Sequence, residues 1–121
     1  MPEIDSELEL ALNYLDHNKD ESLKRLFDIL KIPSISTQEK YSKDCLNAAN
    51  WFVEQLQDIG FDASIRETNG HPMVVAHFEQ EGPHFLFYGH YDVQPVDPIE
   101  LCNHDPLKPK IEKSHNGEII K

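Results

Sequence analysis

At 121 residues the chain is long enough for one domain with a core. Hydrophobic residues make up 39%, charged residues 27% and aromatics 9%, the balance of a globular chain and not of a disordered or fibrous one. The 11 Lys and Arg against 22 Asp and Glu leave a net charge of −11. The acids are spread along the chain without a block, which argues against nucleic acid and anionic lipid as partners. No apolar run is long enough for a membrane span. The start, Met1-Pro2-Glu3-Ile4-Asp5, lacks the apolar region of a secretory signal, so the expected location is cytoplasmic. In that setting Cys45 and Cys102 are expected as free thiols, with Cys45 a small core residue.

The first half reads as helices. Leu8, Ala11, Leu12 and Leu15 recur at helical spacing, and Ser6 with Glu9 has the spacing of a capping box at the helix start. After a polar break at His17-Asn18-Lys19, a second stripe runs through Leu23, Leu26, Phe27 and Leu30, with Asn18 and Glu21 as a weaker cap. Ile32-Pro33 closes that helix, because a residue before proline is pushed out of helical geometry. Pro33 to Thr37 reads as a loop. A third helix is expected from about Lys40 to Ile59. Its apolar face is Cys45, Ala48, Ala49, Phe52, Val53, Leu56 and Ile59, and Gly60 is placed to cap its end.

Past Gly60 the apolar period drops to two. Phe61 to Arg66 alternates like a half-exposed strand, Asn69 to Pro72 is a turn, and Met73 to Phe78 is the next strand. Phe85-Leu86-Phe87-Tyr88 is apolar on both sides, which predicts a central strand covered on both faces. From Asp92 on, prolines at 95, 98, 106 and 109 give the chain a loop-like texture. Ile119-Ile120-Lys121 reads as the middle of a strand, and the chain is expected to stop short of a finished domain. Helices followed by strands predict an α/β fold.

The stretch after the apolar run, Gly89-His90-Tyr91-Asp92, carries the most chemistry. Ligand sites in open α/β sheets gather at the carboxyl ends of central strands, and Gly89 would let the backbone turn there. His90 and Asp92 are two apart, so extended backbone puts both on one side. A neutral His is the commonest metal ligand, and a carboxylate commonly orients it through the other ring nitrogen. Taken alone the pair is a weak signal, and a turn in which Asp92 caps nearby backbone is the commoner reading. His17, His71, His77, His84, His104 and His115 read as solvent-facing or locally bonded, Trp51 as packing at the core edge, and Ser34 and Ser36 as helix caps.

The full string from Phe85 to Pro98, with Gly-His-Tyr-Asp-Val-Gln-Pro at 89–95, resembles the first metal motif of a zinc-dependent metallopeptidase family. That family includes carnosinase-like dipeptidases, acetylornithine deacetylase and succinyl-diaminopimelate desuccinylase, and the string is similar to the dipeptidase branch. Ile32 to Ser36, Ala48 to Gly60 and Asp105 to Pro109 are similar to further segments of it. The resemblance implies that residues 1–121 are the N-terminal portion of a three-layer catalytic domain, incomplete here, with the rest of that domain and an inserted dimerisation domain absent. It implies hydrolysis of dipeptides or related amide bonds by the full-length protein. Two zinc ions per subunit, or cobalt or manganese in their place, would stand about 3.5 Å apart. His90 matches a metal ligand and Asp92 the catalytic-pocket carboxylate that orients it. A small peptide is the implied substrate, and a homodimer the implied full-length assembly. Cys102 and Leu107 depart from the family, which has Trp and Phe there.

One histidine cannot hold two zinc ions, since a catalytic zinc takes about three protein ligands. The 121 residues alone are therefore expected to be inactive. Two other readings share the motif: a non-enzymatic remnant or stand-alone binding domain, and an N-acyl amino acid deacylase of the same family.

Overall fold

The computed structural model describes residues 2–115 and 118–119, with side-chain surroundings for residues 6–113. Met1 and Ile120-Lys121, expected respectively in the acidic start and in a strand, lie outside the described residues, as does the side chain of His115. The order is helix α1 (Pro2–His17), helix α2 (Lys19–Leu30), a 3-10 turn at Glu39–Tyr41 and helix α3 (Ser42–Asp58). Strands β1 (Asp62–Arg66) and β2 (Met73–His77) follow, then a 3-10 turn at Ile99–Leu101 and the short pair β3 (Ser114–His115) and β4 (Glu118–Ile119). The fold is mixed α/β, helices first and strands after, as the sequence predicts. None of the described helices is long and apolar enough to cross a membrane.

Helix α3 is the spine. Cys45, Ala48 and Ala49 are fully buried along one stripe, and Phe52, Val53 and Leu56 extend it half-buried. Small side chains there let β1 approach closely, and Ala63 of β1 is buried with them. Gly60 adopts a φ of +94°, a left-handed conformation that costs glycine least. The Gly60 N–H donates to the Gln57 carbonyl and the Phe61 N–H to the Leu56 carbonyl, at 2.9 and 3.0 Å. This is a Schellman closure, and it turns the chain straight into β1. Ile59, expected on the apolar face, lies past the end of α3 and is exposed. Strands β1 and β2 pair antiparallel, with Asp62 opposite His77 and Arg66 opposite Met73. The Gln57 side-chain amide donates to the Ala63 carbonyl at 3.0 Å, tying the hairpin to the helix.

Several local expectations are corrected. Helix α1 opens at Pro2, where a proline's missing N–H is tolerated, so Ser6 lies inside the helix and does not cap its start. Asn18 does not cap α2. Its side-chain amide donates back to the Tyr14 carbonyl at 2.8 Å and satisfies the end of α1. The stripe of Leu8, Leu12 and Leu15 forms but stays exposed. Gly89 takes no left-handed φ, and a side chain there would meet nothing within 4 Å.

The largest correction concerns Phe85 to Tyr88. Among the described residues no strand pairs with this run, and its side chains are 77%, 94%, 94% and 93% exposed. An apolar run becomes a central strand only where neighbours supply ladders on both edges and cover on both faces. Here the run lies across an open hollow from β2 and Leu56, unpaired.

Candidate functional site

The site forms where two loops meet. One is the stretch after α2, residues 33–37, and the other is the motif at residues 90–93. They join as a single rung of parallel pairing between Ile35 and Val93, with the Val93 N–H donating to the Ser34 carbonyl at 3.0 Å. Ile35 is 1% exposed and anchors the rung from below. Ser34, also buried, donates its hydroxyl to the Tyr91 carbonyl at 2.8 Å. Ser36, in the turn that follows Ile35, donates to Asp92 Oδ2 at 2.6 Å.

The other carboxylate oxygen, Asp92 Oδ1, accepts from His90 Nδ1 at 2.8 Å. A carboxylate can only accept, so the neutral ring carries its proton on Nδ1 and presents a lone pair at Nε2. The sequence prediction that His90 and Asp92 share a side is met in this geometry. The Ser36 hydroxyl, first, and His90, second, hold the Asp92 carboxyl below its ordinary range. Both oxygens are therefore engaged by donors, while the imidazole is 77% exposed and open to a ligand.

Further contacts frame the pair. His71 Nε2 donates to the Ser36 carbonyl at 2.7 Å, and the Tyr91 hydroxyl donates to the Pro72 carbonyl. The 67–72 connection of the hairpin is thus bolted to both loops. Phe52 of α3 packs against the Tyr91 ring at 6.3 Å between centroids. Burial pushes the Cys45 thiol and the Tyr91 phenol up, with the Asp92 charge adding to both. Ser36, Cys45, Phe52, His71, His90 and Asp92 all line one hollow of about 750 Å³.

The helix-capping reading of Ser34 and Ser36 is overturned: both cross the fold to the 91–92 segment. His71, expected to be solvent-facing or bonded locally, bonds a residue 35 positions away. His77 and His84 stack at 5.6 Å outside this cluster. Cys102 is exposed, and both cysteines are free, as expected. Among the described residues no group of three or more His, Cys, Asp or Glu stands ready to hold a metal ion. By its chemistry the pair could supply one ligand atom, His90 Nε2, with Asp92 orienting the ring.

Helices lead into strands, with a carboxylate-oriented imidazole beyond them, and comparisons with known proteins find likeness to metallodipeptidases. The chain is 28% identical over 104 residues to the Cys-Gly metallodipeptidase DUG1 of Candida albicans, a match covering 74% of this chain and 21% of that protein. It superposes on the solved structure of the dipeptidase Dug1p from Saccharomyces cerevisiae with a TM-score of 0.67 and 27% identity, covering 78% of this chain and 22% of that one. The chain thus spans about a fifth of the length of these relatives. No protein-family model matches it. The kinship supported is to metal-dependent dipeptidases.

Proposed function

We propose that residues 1–121 form the N-terminal portion of the catalytic domain of a metal-dependent dipeptidase, with His90 a metal ligand and Asp92 the carboxylate that orients it. The observation that carries this is the 2.8 Å bond from His90 Nδ1 to Asp92, which leaves Nε2 as the coordinating atom. Zinc is the metal expected, with cobalt or manganese able to replace it. A bound pair of such ions supplies Lewis acidity and an activated water. This chain's own part is to hold one imidazole in the correct tautomer and to wall the hollow with Phe52 and Tyr91. The remaining ligands, the inserted dimerisation domain, the homodimer and the small-peptide substrate belong to the full-length protein, placed in the cytoplasm.

The bare apolar run at Phe85–Tyr88 weighs against a stand-alone binding domain, since contiguous exposed apolar side chains mark a surface that further chain or a partner covers. The test compares the 121 residues with the longer protein encoded by the same message, on a panel of dipeptides and N-acyl amino acids with zinc, cobalt and manganese. The longer protein is expected to cleave dipeptides, lose activity to a chelator, and lose it with H90A. The 121 residues alone are expected to be inactive. Metal-dependent turnover by the 121 residues alone sinks the inactivity. A message that ends after Lys121, or a longer protein that cleaves no dipeptide, sinks the dipeptidase reading in favour of a remnant or a deacylase.

A further inference from the structure

We propose that Ser36 is a positioning residue for the metal-binding histidine, acting through Asp92, a role that rests on the reading of His90 as a ligand. A carboxylate that orients an imidazole has two oxygens. If the second is left to water, the group can rotate and offer the ring either oxygen at a shifted angle. Here Ser36 takes the second oxygen, at 2.6 Å, while His90 takes the first, at 2.8 Å. The plane of the Asp92 carboxyl is thereby fixed from both ends.

Ser36 is suited to this because its own position is set three times over. Its carbonyl accepts from His71 Nε2 at 2.7 Å. Its neighbour Ile35 is buried and paired with Val93, one residue from Asp92. Ser34, two residues back, holds the Tyr91 carbonyl at 2.8 Å. The 34–36 segment therefore grips residues 91, 92 and 93 in register. A hydroxyl on such a support loses little freedom on bonding, and hydrogen bonds to charged acceptors are roughly twice as strong as neutral ones. His71 becomes the remote strut of the same chain: His71 to the Ser36 backbone, the Ser36 hydroxyl to Asp92, and Asp92 to His90.

The test reads the His90 tautomer directly, by nitrogen-15 NMR of the metal-free chain at about pH 8, where a free imidazole is neutral. The unmodified chain is expected to hold His90 predominantly as the Nδ1–H form. In S36A the ratio of Nδ1–H to Nε2–H should fall roughly three- to ten-fold, the span of a charge-assisted bond partly replaced by water. S36T, which keeps a hydroxyl, should restore it. S36C fills the space with a weaker donor and should fall between, which keeps the test open if S36A does not fold. An unchanged ratio in folded S36A or S36C overturns the proposal. Zinc is then added to the unmodified chain and the His90 Nε2 resonance followed. Zinc perturbing Nε2 while S36A leaves the tautomer unchanged defeats the role of Ser36 alone. A tautomer that responds to Ser36 in a ring that zinc does not touch upholds the positioning and defeats the metal reading.

Discussion

Replacing Ile35 by Ala tests where the stability of this chain resides. Ile35 is among the largest fully buried side chains described, at 1% exposure, and its backbone makes the rung to Val93. The substitution removes three carbons, worth roughly 2–3 kcal/mol at about 0.8 kcal/mol per buried CH2. The cavity left behind raises the expected cost to roughly 2–5 kcal/mol. For a domain near this size that is a fall in Tm on the order of 10–20 °C. I35V should cost about 1 kcal/mol and so grade the effect. The paired control is L86A, at a residue 94% exposed, where the change should stay within about 0.5 kcal/mol. Urea denaturation of the three variants, followed by circular dichroism, gives the values. If L86A destabilises the chain as much as I35A does, the Phe85–Tyr88 run is buried in solution and the described packing is wrong.

Three further outcomes follow from the geometry. G60A should cost about 1 kcal/mol in the same denaturation, because the φ of +94° disfavours any residue with a Cβ; an unchanged midpoint would mean the helix ends differently. Cys45 is buried with its thiol pushed up, and Cys102 is exposed, so a thiol reagent on the folded chain should modify Cys102 rapidly and Cys45 only on unfolding; equal rates would contradict the packing of α3. The bonds from Ser36 and His90 depress the Asp92 carboxyl, so the stability it contributes is complete above the ordinary aspartate value of about 4 and disappears as pH falls through the lower folded value. The gap between wild type and D92N should therefore narrow below about pH 4, and parallel curves down to acid pH would refute it.

What was legible in the sequence was local. The stripe of Cys45, Ala48 and Ala49, the stop at Gly60 and the alternation of Phe61 to Arg66 are set by backbone periods of 3.6 and 2, which any short window displays. His90 and Asp92 were legible for the same reason, since two residues of extended chain place them together whatever surrounds them. The partners of that pair were not. Ser36 reaches Asp92 across 56 positions and His71 reaches Ser36 across 35, and a serine in such a loop looks the same whether it caps a helix or holds a carboxylate. The fate of Phe85 to Tyr88 is likewise beyond local pattern, because an apolar run becomes a buried strand only through the neighbours that pair with it. By itself the sequence determined the helices, the hairpin and the closeness of His90 to Asp92. Tertiary structure alone decided which hydroxyl completes the carboxylate and which apolar residues are covered, because both depend on contacts between segments far apart in the chain.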